Sequence, residues 1–215
     1  MPRRARAILS MSNQTVYNHV VSEIPPEAVW SPADNPYAIA VSQATWWRCA
    51  VQLSVGRLDD PPDPRATPVT SKQIDARNLV FALVQLLAAE ALEQEALRVL
   101  GIDAIVGHTL SQARDRYLEA LPGIQQMRNA LTHFEDWSLG RGHGPQKDNV
   151  TAGSDPRDVA AHFWGFGYHQ DERMIRQGPY ALEVDKAAPA ALDLYSAISA
   201  AAQMVDRQAP IPPGH

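Results

Sequence analysis

The chain has 215 residues, 45% apolar and 20% charged, enough for one domain of ordinary size with its own core. A formal net charge of −5 excludes a broadly cationic polyanion binder but leaves room for a local basic patch. A single cysteine, Cys49, excludes an intramolecular disulfide framework and a cysteine-cluster zinc site.

No run approaches the roughly 18 apolar residues of a membrane span; the longest candidate, 79–91, contains Gln85 and Glu90. Residues 1–10 hold three arginines but no apolar stretch of a signal peptide, and Met11 is a second candidate start. With nothing pointing to an oxidising compartment, the expected location is cytoplasmic.

In chain order, residues 1–35 are expected to be an irregular N-terminal segment, because Pro25, Pro26 and Pro32 break any long helix. Residues 15–21 fit either a turn of helix or a strand. A first helix is predicted over 36–55, with Asn35 as N-cap, Pro36 at its first position and Gly56 as C-cap. Its inward stripe is read as Ile39, Trp46, Ala50 and Leu53, with Cys49 a small buried hydrophobe.

A second helix is predicted over 71–100, ended by Gly101. Leu79, Val80, Phe81, Leu83, Val84, Leu86 and Leu87 cover most of its circumference, so it is central, packed by several neighbours or by a second subunit. Beyond Glu90 it is expected to project toward solvent.

A third helix is predicted over 109–121 and a fourth from Pro122 to about Phe134 or Trp137, with Ile124, Met127, Leu131 and Phe134 on one stripe. Residues 138–158, rich in glycine, read as a long, poorly ordered polar loop. Two extended runs, 161–168 and 180–184, suggest a β-hairpin turning at Asp171–Arg173, before a last helix over 188–206 and a disordered tail over 207–215. The fold class is therefore all-α: a bundle of four to five helices over 36–206 with a small β-hairpin before the last one.

The candidate chemistry lies late in the fourth helix. Asn129 and His133 are four apart and share a helix face, and Arg128 stands about 100° around the axis. An arginine fork grips phosphate oxygens, and a histidine moves a proton near neutrality. Arg141, His143 and Lys147 in the following loop are candidate RNA contacts, and Arg114 and Arg116 extend a basic strip. No metal ligand set is proposed: His162 and His169 fall on opposite faces of a presumed strand, and no His-x3-His pair occurs. The Gly140–Gly144 stretch lacks the strand and helix of a P-loop.

The run Arg128-Asn129-x-x-x-His133 near the end of a helix in an all-α bundle resembles the RNA-cleaving motif of HEPN domains, an Arg, four to six residues, then His. The resemblance covers about six residues of motif and a helical order over roughly 36–206. It implies a metal-independent endoribonuclease, acting as a toxin or in phage defence and needing no cofactor. It also implies a homodimer with two motifs facing across a cleft, and in many cases a nucleotidyltransferase-type antitoxin. It assigns Arg128, Asn129 and His133 as catalytic and suggests Arg77 or Asp75 as polar helpers nearby. The competing reading is a catalytically inert helical module that binds a protein partner or a nucleotide, with His133 a surface residue at a helix C-terminus.

Overall fold

The computed structural model describes residues 31–208, so the readings placed on 1–30 and 209–215 lie outside the described residues. The chain divides between Asp34 and Asn35. In the first unit the described part is a 3-10 turn, Pro32–Asp34, in which the Asp34 N–H donates to the Ser31 carbonyl at 3.1 Å.

The second unit is mainly α. Helices α1 (Pro36–Asp59), α2 (Ser71–Leu100) and α3 (Ala104–Ala120) are followed by short helices α4 (Ile124–Thr132), α5 (Phe134–Ser138), α6 (Pro145–Thr151) and α7 (Pro156–Phe163). Strands β1 (Phe166–His169), β2 (Met174–Gln177) and β3 (Tyr180–Glu183) then form an antiparallel sheet in the order β1-β2-β3, and α8 (Val184–Gln208) closes the chain. Among the described residues no helix is long and apolar enough to cross a membrane.

Helix α2 is the axis. It holds no glycine or proline, the Thr70 side chain accepts from the Gln73 N–H at its start, and Gly101 closes it in the left-handed region at φ 65°. Leu79, Val80, Leu83 and Leu86 are wholly buried and Leu87 nearly so, covered by α1, α3, α4, α8 and β1 of the same chain. Phe81 and Val84 of the same run stay half-buried, and Val84 lines an open groove.

Side chains fix the neighbours. The Tyr117 hydroxyl of α3 donates to the Leu83 carbonyl at 2.7 Å, and burial pushes its pKa well above the ordinary range. The Gln94 amide donates to the Gly107 carbonyl and to Ser111 Oγ. Gln73 holds the sheet: its Nε2 donates to the Tyr168 carbonyl at 3.1 Å, and its Oε1 accepts from the Tyr168 N–H at 2.9 Å. Register places Tyr168, Ile175 and Leu182 side by side, all buried on the face toward the helices.

Several expectations are corrected. Helix α1 continues past Gly56 to Asp59, and Asn35 makes no side-chain cap. Its inward face is Ala40, Ala44, Val51 and Leu58, while Trp46 is 71% and Leu53 is 63% exposed. Small residues on that face let α1 lie close against α2, which turns the large side chains outward. Cys49 is half-buried, with its Sγ 3.6 Å from an Arg48 nitrogen. The expected hairpin is a three-stranded sheet, because Met174–Gln177 pairs on both sides. Residues 161–163 belong to α7, not to a strand, and α8 starts at Val184 with Pro189 in its early turns.

Residues 138–158 are not an irregular loop but carry α6 and the start of α7. Pro145 and Pro156 each open a helix, and Asp155 caps the second by accepting from the Arg157 N–H at 2.8 Å. Gln146 is wholly buried: its Oε1 accepts from the Gly142 N–H at 2.8 Å, and its Nε2 donates to the Trp137 carbonyl at 3.1 Å. Trp137, Ala130, Val159 and Phe163 form a second small core beneath it.

The far half of α2 is amphipathic: Ala91, Glu95 and the end residues 98–100 are exposed, while Glu90, Glu93, Ala96 and Leu97 form its buried face. Neither carboxyl oxygen of Glu93 has a hydrogen-bond partner among the described residues. Burial, reinforced by the Asp206 carboxylate, pushes its pKa from 4.5 to about 7. The folded state then holds a proton that the unfolded chain releases, so stability falls as pH rises from 4.5 to about 7. Urea unfolding should show this loss as roughly 2–4 kcal/mol. Glu93→Gln should flatten the slope, leaving the part due to Glu90, whose pKa burial also raises, and should unfold at higher urea than the parent above neutral pH.

Candidate functional site

Helix α4 is short because Gly123, at φ 76°, opens it and the backbone leaves helical geometry at His133. Ile124, Met127 and Ala130 are buried and fix its rotation, one stripe at helical spacing. That rotation leaves Arg128 and Asn129 half-buried on one flank, where Arg128 Nη1 donates to Asn129 Oδ1 at 3.1 Å.

This flank closes an open groove of about 850 Å³ between α2, α3 and α4. Glu90, Gln94 and Arg98 of α2, Arg114 of α3 and the Arg128–Asn129 pair line it. Glu90 is almost wholly buried; one oxygen lies 3.7 Å from Arg114 Nε, and the other has no partner among the described residues. Burial raises the pKa of this carboxyl, opposed by Gln94 and Arg114 and helped by Asp115. Glu95 also lines the groove and accepts from Arg98 through both carboxyl oxygens, so Arg114, which stands beside Glu90, and Arg128 are the guanidinium groups left to attract an anion there.

His133 is the joint between α4 and α5, at φ −113° and ψ 43°, rather than a helical residue. Its N–H donates to the Asn129 carbonyl at 2.9 Å and its own carbonyl accepts from the Trp137 N–H at 3.1 Å. The side chain is exposed, and its ring makes no hydrogen bond among the described residues. It does not line the groove that holds Arg128 and Asn129. The three motif residues are thus joined through one turn of backbone, with Arg128 and Asn129 on the groove wall and His133 outside it among the described residues.

Arg141 and His143 are exposed on the segment between α5 and α6, Lys147 is exposed within α6, and none of the three lines the groove. Of the basic strip, Arg114 joins Arg128, whereas Arg116 faces a separate depression with Asp185 and Asp193. Arg77 lies near the motif helix, in a cavity that includes Ala130, Leu131 and Phe134. Asp75 is elsewhere, 3.7 Å from Arg57. His162 is in α7, packed edge-on against Phe163, and His169 is in β1. Among the described residues no group of three or more His, Cys, Asp or Glu side chains converges on a common point.

Glu90 was hidden from pattern reading because a lone acid at the edge of an apolar run reads as the start of a solvated face. Its position opposite Arg114 depends on how α3 docks, which no local spacing encodes.

No protein-family model, no curated protein and no solved structure matches this chain.

Gly140 and Gly142 serve packing. A Cβ on Gly142 would lie 2.7 Å from both Trp137 Nε1 and Gln146 Oε1, and one on Gly140 would lie 2.2 Å from the Pro156 carbonyl oxygen. Gly142→Ala should therefore destabilise by about 1–3 kcal/mol. Hydrogen exchange should locate the loosening in residues 137–163, with α1 and α2 unchanged. Equal protection in variant and parent would show that Trp137 and Gln146 are free to move aside.

Proposed function

We propose that this protein is a metal-independent endoribonuclease of HEPN type, with Arg128, Asn129 and His133 as its working residues. The observation that supports this is the Arg128–Asn129 pair on the wall of an arginine-bearing groove, one helical turn before an exposed histidine with no competing partner among the described residues. In this reading His133 takes the proton of a ribose 2′-hydroxyl. The freed oxygen attacks the adjacent phosphorus, the bond to the 5′-oxygen breaks, and a 2′,3′-cyclic phosphate remains. Arg128 holds the phosphate oxygens and the charge that grows on them, and Asn129 orients Arg128.

The leaving 5′-oxygen needs a proton, which His133 of a second copy supplies in a homodimer. RNA is then the substrate, and a toxin or defence role with a nucleotidyltransferase-type antitoxin follows from the same resemblance. The placement of His133 outside the groove favours a second reading, an inert helical module that binds a partner or a nucleotide in that groove.

Total RNA incubated with the purified chain in EDTA separates the two. Cleavage leaving 2′,3′-cyclic ends, with DNA spared, is the expected outcome. His133→Ala should lower the rate roughly 10²–10⁴-fold and leave stability within about 0.5 kcal/mol, since the side chain is exposed. Arg128→Lys should also fail, because a point charge does not replace a planar fork, and Asn129→Ala should lose less. Cleavage that requires magnesium, or that survives His133→Ala, would rule the reading out.

A further inference from the structure

The other flank of α4 faces a second cavity, of about 470 Å³, lined by Arg77, Leu131, Phe134, Trp164, Phe166 and Gln177 among others. Two of its aromatic side chains are open to solvent in the free chain, Phe134 at 61% and Trp164 at 51% exposure. Exposed aromatic rings leave apolar area in water unless something covers them. Arg77 stands over the Phe166 ring, its guanidinium carbon 5.1 Å from the centroid, so a flat cation already stacks on one wall.

The floor is polar. Gln177 is almost wholly buried, and its Nε2 donates to the Phe163 carbonyl at 3.2 Å, which orients the amide. Its Oε1 has no partner among the described residues. A buried acceptor left unpaired carries a desolvation cost that a donor in the cavity would relieve.

We infer that this cavity is a nucleobase pocket for single-stranded RNA. One base stacks between Phe134 and Trp164, and Gln177 Oε1 accepts from its exocyclic amine once the side chains closing over that oxygen part. Stacking on aromatic faces is how single-stranded nucleic acid is held without a duplex, and a guanidinium beside the rings meets the backbone phosphate. An acceptor that meets the base at its 6-position in a purine or 4-position in a pyrimidine prefers adenine and cytosine, which carry an amine there, to uracil, which carries a carbonyl. Phe134 directly follows His133, so the pocket sets which nucleotide lies next to the histidine. This assignment rests on the ribonuclease reading for its role but not for its binding chemistry.

The test uses fluorescein-labelled 2′-O-methyl hexamers of A, C or U, which lack the nucleophile, titrated by anisotropy onto the full chain in EDTA. The A and C hexamers should bind more tightly than U. Trp164→Ala and Phe134→Ala, both at exposed positions, should each weaken the A hexamer roughly five- to hundredfold, and Trp164→Phe should restore most of the loss. Gln177→Leu should narrow the gap between A and U; should it fail to fold, the A-against-U comparison on the parent tests the same point. No binding by the parent, or parental affinity in both alanine variants, overturns the pocket, and equal affinity for A and U overturns the role of Gln177. Binding as described without cleavage of unmodified RNA leaves the pocket standing and removes the ribonuclease reading. Cleavage with unchanged affinity in Trp164→Ala and Phe134→Ala does the reverse.

Discussion

A helix that is apolar nearly all the way round has to be covered on most of its sides, and the architecture is the solution to that constraint; where Val84 and Ala88 are left uncovered, the groove opens. Five elements pack against α2: α1, α3, α4, α8 and β1. Each fully buried leucine of α2 contributes about 1.5–3 kcal/mol by leaving water, against about 0.5–1.5 kcal/mol for a neutral hydrogen bond. The polar contacts set position rather than stability. Tyr117 on the Leu83 carbonyl and Gln73 on both backbone groups of Tyr168 fix the rotation and height of α3 and of the sheet. The depressions left between the covering elements are where the candidate site lies.

Helix α4 acts as a partition. Its buried stripe is only three residues wide, so both flanks stay available. Arg128 and Asn129 face a groove of guanidinium groups and a buried acid; Ala130, Leu131 and the following Phe134 face aromatic rings. His133 ends the partition, outside helical geometry. Charge on one side, rings on the other and an exposed histidine at the tip are the arrangement on which the proposed reading rests. The small second core beneath α5 keeps the tip in place, because Trp137 is held by Phe163 at 5.9 Å between ring centroids and by Gln146 through its carbonyl.

The helices that could be read from residues are those with a continuous period and a clear stop. Helix α2 ends at Gly101 because only glycine takes a left-handed residue there without cost, and that signal is local. The face of α1 could not be read the same way. Trp46 and Leu53 outrank Ala40 and Ala44 in apolarity, yet close approach to α2 selects the small side chains, and approach is a tertiary property. The turns hid α6 and α7, since glycine at 140, 142 and 144 outweighs the Asp155-Pro156 cap in any composition argument. At the site, Arg128, Asn129 and His133 were visible as a spacing. Their division between groove and surface was not, because it depends on the helix ending one residue early.

The joint between the sheet and the last helix has no connecting residue. Glu183 ends β3, Val184 begins α8, and the Val184 N–H donates to the Arg173 carbonyl across the sheet at 2.9 Å. Arg173 itself is paired with Asp59 of α1 and with Asp185 of α8. Strand and helix therefore share one rigid phase. A single inserted residue at this point would turn α8 by about 100° against the sheet, rolling Ala187, Ala191, Leu194 and Ile198 off the core together. An insertion in the proline-rich segment after α1 would fall outside every helix and strand, whereas at residues 183 and 184 chain length and the rotation of α8 are the same variable.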